Sequence, residues 1–203
     1  MAEEEGPPVI AYLDTSILAN WLIYYRKRKR WLSFKEKDGA RQSMELLQGI
    51  IADKYNADFK ISAWTIGELV QSALDNVVAV RMIRDGRNPR FFQTMKEQYP
   101  LSNEEKNQIG LSIEDFLDKI ERLDIRPVGT GIEDYSDMRD FAFNYGIEAP
   151  DALHLSIAGY LDCEFFLTTD KRLIDKKIKE IQVMLPPTFD RLPYVRRRSK
   201  EDG

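Results

Sequence analysis

Four acidic residues occupy positions from which carboxylates can act together: Asp14 in LDTSIL, Glu68 in WTIGEL, Asp151 in PDALHLSIA and Asp170 in FLTTDKRL. Asp14 and Asp170 closely follow apolar, strand-like runs, and Glu68 and Asp151 each fall near the start of a helical pattern. Carboxylates gathered at one place repel one another and raise one another's pKa unless a cation is present. Such a cluster is therefore naturally a site for a hard divalent metal with oxygen ligands. Taken singly, Asp14 or Asp151 reads as well as a helix N-cap, because aspartate is favoured there.

The elements that must position these acids alternate between strand and helix. Val9-Ile10-Ala11-Tyr12-Leu13 is a continuous apolar run of strand length, as expected of a strand buried on both faces in a parallel sheet. A helical pattern follows through Ile17, Leu18, Trp21 and Leu22, and a second amphipathic helix is predicted over 40–55 with Met44, Leu47, Ile50 and Ile51 inward. A short strand at 59–62 and a helix over 65–80 carry Glu68 in the first turns of that helix. Residues 81–107, broken by Gly86, Pro89 and Pro100, read as an inserted helical lobe. The run Ser102-Asn103-Glu104-Glu105 caps the long helix that follows. A weak strand at 125–128, a helix over 135–145 ended by Gly146, and a largely buried helix through 152–158 come next. The pattern closes with a strand at 165–167, a helix over 171–179, and a last strand at 182–185 before Pro186-Pro187. The whole predicts an α/β fold, a three-layer α/β/α sandwich with a central parallel sheet and a helical insertion. In open sheets of this kind ligands gather at the carboxyl ends of the strands, where the four acids fall. The expected organisation is an acidic leader at 1–8, a domain of this fold at 9–185 with the insertion at about 81–107, and a basic tail at 186–203.

The four motifs, in this order and each near the start of a predicted helix, resemble the PIN-domain family and especially its VapC-type branch. The resemblance covers residues 9–185 except the insertion. It implies an endoribonuclease dependent on Mg2+ or Mn2+, with Asp14, Glu68, Asp151 and Asp170 as catalytic and metal-binding acids. It also implies that Ser16 and Thr168 are hydroxyl supports that orient carboxylates or water, and it suggests a homodimer and an antitoxin protein as possible partners. The chemistry would be metal-assisted hydrolysis of a phosphodiester without a covalent nucleophile. The same fold also serves as a non-catalytic RNA-binding or scaffold module, and that reading stays open. The chain is longer than a minimal toxin of this family, and its additions suit an RNA-processing role equally well.

Other chemistries find no matching residues. The stretch Asp14-Thr15-Ser16 lacks the second aspartate of a DxDx[TV] phosphatase motif. No G-x-G-x-x-G follows the first strand, and no phosphate-binding P-loop occurs. The single cysteine, Cys163, and the single histidine, His154, lie outside any matching nucleophile motif. His154 stands three residues after Asp151 on the same helix face, but its core-like neighbours Leu153 and Leu155 point to a structural role. Trp64 is assigned to packing at the start of its helix rather than to base stacking.

Composition fits these expectations. Charged residues make up 32% and hydrophobic residues 43% of 203 residues, as in a folded globular chain. The net charge of −4 is unevenly distributed. Arg26, Lys27, Arg28, Lys29 and Arg30 form an unbroken basic run, assigned to RNA phosphates, and Arg196, Arg197, Arg198 and Lys200 form another. Either run reads equally as a solvated surface. No apolar run approaches the roughly 20 residues of a membrane span, and MAEEEGPP is unlike a secretory signal. A lone cysteine suits a reducing compartment, so the expected location is the cytoplasm.

Overall fold

A computed structural model describes residues 6–26, 34–129, 131 and 134–197. Val9–Leu13 forms β1, and Ala11, Tyr12 and Leu13 are fully buried, which accounts for the unbroken apolar run. The other strands are β2 (Ala57–Ser62), β3 (Pro127–Val128), β4 (Phe165–Leu167) and β5 (Gln182–Met184). They make one five-stranded sheet of order β3-β2-β1-β4-β5, and every neighbouring pair is parallel. Parallel pairing aligns Ala11 with Phe59 on one side and with Phe165 on the other. The carboxyl ends of β1 and β4 are thereby neighbours.

Successive side chains of a strand point to opposite faces, and here they feed two separate cores. Ala11, Leu13, Ile61 and Leu167 join the larger core with Ile17 and Leu18 of α1 (Thr15–Arg26), Leu46 and Leu47 of α2 (Phe34–Ile51), Leu69 of α3 (Ala63–Arg84) and Phe116 of α5 (Asn103–Arg122). Tyr12 and Phe166 face the other way, their rings stacked with centroids 5.4 Å apart. They pack with Phe141 of α6 (Asp134–Tyr145) and Leu155 of α7 (Ala149–Tyr160). The result is a three-layer α/β/α sandwich on a parallel sheet, the fold class that the sequence predicts. No helix among the described residues is long and apolar enough to cross a membrane.

Local signals explain several boundaries. Ser62 caps α3 by accepting from the Thr65 amide at 3.2 Å, and Thr65 Oγ1 accepts from the Ser62 amide at 3.3 Å. Ser102 and Glu105 make the same reciprocal box at α5, as Ser102-Asn103-Glu104-Glu105 predicts. Residues 152–158 of α7 are all buried, as expected. Between α3 and α5 the inserted segment forms single turns at 89–91 and 96–98 around the short α4 (Phe92–Met95), and Phe91 is 57% exposed.

Three expectations at helix ends need correction. The α2 helix stops at Ile51, not at 55, because Asp53 turns the chain with φ 52° and Tyr55 folds back over the helix. A Cβ on Gly49 would lie 2.5 Å from the Tyr55 ring, so only glycine permits that approach. The predicted helix over 171–179 is only the single turn α8 (Lys171–Ile174), with Lys177 at φ 51° beyond it. Pro186-Pro187, expected to begin the tail, instead opens α9 (Pro186–Phe189), since proline suits the first turn of a helix.

The segment 186–197 is anchored on the core through a few residues. Phe189 and Val195 are fully buried, and Phe189 packs against Tyr55, Phe59 and Phe165. Asp190 accepts from Tyr55 Oη at 2.9 Å, from Arg196 at 2.7 Å and from Lys54. Arg197 donates to the Tyr55 carbonyl at 3.1 Å and pairs with Asp53 at 2.7 Å. Arg196 and Arg197 thus tie this segment down rather than extending as a free basic tail; Arg198 and Lys200 lie outside the described residues.

Candidate active site

Asp14 sits at the junction of β1 and α1, where its amide donates to the Leu167 carbonyl of neighbouring β4 at 3.0 Å. Its side chain caps no backbone amide of α1 among the described residues. Asp14 Oδ2 instead accepts from Ser16 Oγ at 2.6 Å and from Thr168 Oγ1 at 2.7 Å. The two hydroxyls lie 3.2 Å apart, and the Thr169 and Asp170 amides donate back to Ser16 Oγ and Thr168 Oγ1 at 3.1 and 3.0 Å. Both expected hydroxyl supports therefore meet Asp14, which leaves its Oδ1 without a donor among the described residues.

Glu68, in the early turns of α3, is held by three donors. Thr15 Oγ1 donates to Oε2 at 2.6 Å, His154 Nε2 stands 2.8 Å from the same oxygen, and Trp64 Nε1 donates to Oε1 at 3.1 Å. Burial opposes ionisation of Glu68, but hydrogen bonds from His154 and Thr15 outweigh it and hold the carboxyl below its ordinary range. An ionised carboxylate only accepts, so the hydrogen-bond network assigns a proton to His154 Nε2. On its other side His154 Nδ1 meets Tyr12 Oη at 2.8 Å, and Tyr12 donates to Ser62 at 2.8 Å. Burial pushes the Tyr12 phenol up, so it stays neutral in this chain of bonds.

The structural role expected of His154 holds as far as burial goes, since it is 1% exposed. Its partner, however, is an acid of the site. Thr15, His154 and Trp64 are the residues that the sequence reading leaves out. The spacing of Trp64 and Glu68, four apart on one helix, is the local signal that points to one of these contacts.

Asp151 lies in the first turn of α7, whose N-cap is Glu148, so the cap reading fails here as well. Asp151 is half-buried and has no hydrogen-bond donor among the described residues. Burial first, then the charges of Asp14 and Asp170, push its carboxyl up to about 6. Asp170 does act as a cap, accepting from the Arg172 amide at 2.9 Å, and it pairs with the Arg172 guanidinium at 2.8 Å. That guanidinium holds the Asp170 carboxyl below its ordinary range against partial burial.

Asp14, Asp151 and Asp170 thus lie within electrostatic reach of one another. Glu68 joins them through Thr15, next to Asp14, and through His154, one helical turn after Asp151. Among the described residues no group of three or more His, Cys, Asp or Glu side chains is placed to hold a metal ion. The donor set is nevertheless all oxygen, the kind that a hard cation takes, and Asp14 Oδ1 and Asp151 accept from no donor among the described residues. Beside Asp170 a cleft of about 480 Å³ opens between the start of α2 and α8, lined by Asp38, Gln42, Thr169 and Arg172 among others. An apolar hollow of about 460 Å³ against Trp21, Leu111 and Phe116 carries none of the four acids, so charge and not cavity volume locates the site. Of the basic run, Lys27, Arg28, Lys29 and Arg30 and the side chain of Arg26 lie outside the described residues.

A family model described as PIN domain matches residues 11–179, a span that begins within β1 and takes in all four acids. Comparison with curated proteins returns no match. The parallel sheet, the acids at its carboxyl edge and a match over most of the chain agree, and the chain belongs to the PIN-domain family.

Proposed function

We propose that this protein is an endoribonuclease that hydrolyses RNA phosphodiester bonds with the help of Mg2+ or Mn2+ held by Asp14, Glu68, Asp151 and Asp170. PIN domains are generally nucleases and typically use divalent metal ions. The observation that carries the reading is Asp151, a half-buried carboxylate without a donor, raised to about 6 by burial and two neighbouring acids. An arrangement that costs stability in the empty protein is what a cation-binding site requires. A bound divalent ion supplies charge stabilisation at the phosphate and an acidic water near neutral pH. The chain does the rest. Ser16 and Thr168 orient Asp14, and Thr15, His154 and Trp64 fix the rotamer of Glu68.

RNA rather than DNA is inferred from the VapC-type resemblance of the motifs, and the run Arg26–Arg30 is assigned to phosphate contacts along the incoming strand. The role is that of a toxin with an antitoxin partner or of an RNA-processing enzyme, in the cytoplasm. Exposed Phe91 on the inserted segment supports a homodimer, which sedimentation at micromolar concentration tests. The competing reading, a non-catalytic RNA-binding or scaffold module, is disfavoured because all four acids are present. Incubating the purified full chain with a mixed panel of RNA and DNA, with Mg2+, Mn2+ or chelator, decides between them. Internal RNA cleavage only with metal is expected. Binding without cleavage under every metal condition would overturn the catalytic reading in favour of the scaffold.

A further inference from the structure

We infer that Trp64 forms a stacking subsite for one nucleobase of the bound strand beside the acidic cluster; this rests on the nuclease reading above. Trp64 is the second residue of α3 and is 44% exposed, whereas Trp21 is buried in the core. Its Nε1 is tied to Glu68 Oε1 at 3.1 Å, so the exposed remainder of the indole is carbon surface. That bond also restrains the ring before any ligand arrives, which lowers the entropy lost on stacking.

The helix surface next to the indole is kept open. Gly67 lies three residues after Trp64, hence on the same face, and a Cβ there would meet nothing within 4 Å. Glycine inside a helix is destabilising relative to alanine, and no packing contact at this position requires it. Trp64, Gly67 and Glu68 therefore present a flat aromatic surface, a bare patch of helix and a site carboxylate side by side. A nucleobase seated on the indole would put its own phosphate close to the acids. In a duplex each base face is covered by the next base, so the base that stacks on the indole is one whose face is free.

The test uses the full chain with Asp14→Asn to prevent cleavage, and measures binding of a short unstructured RNA and of a hairpin duplex. Trp64→Leu removes both the ring and the N–H, while Trp64→Phe keeps a stackable ring and loses only the bond to Glu68. The expected result is a loss of about 5- to 150-fold in single-strand affinity for Trp64→Leu. Most of that affinity should survive in Trp64→Phe, and duplex binding should stay unchanged in both. A second measurement needs no change at Trp64: single abasic nucleotides are stepped along the RNA. One position should show a comparable loss, and that loss should vanish in Trp64→Leu. Equal losses for Phe and Leu would overturn the subsite and leave Trp64 as a positioning residue for Glu68. No sensitive abasic position would overturn it as well. Wild-type protein assayed for metal-dependent cleavage separates the two readings. If it cleaves while Trp64→Leu binds normally, only the subsite falls, whereas if it neither cleaves nor binds RNA, the nuclease reading falls and takes the subsite with it.

Discussion

His154 Nε2 stands 2.8 Å from Glu68 Oε2, joining α7 to α3 over a sequence separation of 86. The same ring meets buried Tyr12 through its other nitrogen, so removing it takes one hydrogen bond from a carboxylate that keeps Thr15 and Trp64 and one from a phenol that keeps Ser62. His154→Phe keeps the volume and loses both bonds. It is expected to lower stability by about 2 kcal/mol, since each of the two lost hydrogen bonds contributes roughly 0.5–1.5 kcal/mol. It should also weaken Mn2+ binding, and His154→Gln should regain part of both. Urea denaturation and calorimetric Mn2+ titration check this. A folded His154→Phe with wild-type metal affinity would show that the imidazole supports only the core.

Asp14→Asn keeps an oxygen for the Ser16 and Thr168 hydroxyls and removes the charge. Cleavage is expected to fall on the order of a thousandfold, several kcal/mol of barrier. Thermal stability of the metal-free protein should be equal or higher, because repulsion with Asp151 is relieved. Wild-type turnover at saturating Mg2+ would remove Asp14 from the metal site. A large drop in melting temperature would assign its carboxylate to the fold.

Asp151 gives stability a defined pH dependence. Its folded pKa, about 6, lies above the ordinary 3.8, so the folded state holds the proton more tightly. The associated stability is fully present below about pH 4 and is lost as pH rises through about 6. For a half-buried group the loss is on the order of 1 kcal/mol after solvent screening. In chelator, wild-type protein should therefore lose stability relative to Asp151→Asn across this window, and saturating Mn2+ should abolish the difference. Denaturation curves between pH 4 and 7 measure it; a flat difference without metal would mean that Asp151 is not desolvated by its neighbours.

Arg172 is 80% exposed yet pairs with Asp170 at 2.8 Å, so it competes with any cation for that carboxylate. Arg172→Ala should tighten Mn2+ binding by roughly 2- to 5-fold, the scale of an exposed ion pair. Stability should barely change, because the backbone amide that Asp170 caps remains with any side chain. Weaker metal binding in the variant would show that the guanidinium helps to build the site rather than competing for it.

By itself the sequence determined what depends on near neighbours. The unbroken run Val9–Leu13 specified a strand buried on both faces, because only a covered parallel sheet hides both sides. Ser102 and Glu105 specified the start of α5, and Gly146, at φ 59°, the end of α6. The acids at strand ends and helix starts were legible for the same reason, since a parallel sheet carries such positions to one edge.

Tertiary structure alone decided which groups meet. Local pattern made Asp14 and Asp151 resemble caps, but packing beside Ser16 and Thr168, and behind Glu148, gave them other surroundings, while Asp170 does cap a helix. Nothing near His154 in the chain announces Glu68, and nothing near Arg197 announces Asp53 or Tyr55. Those partnerships arise from the register of β1 against β2 and β4 and from the return of Phe189 to the core. A hydrogen bond between distant residues depends on where whole elements dock, and the period of apolar residues within one element carries no record of that.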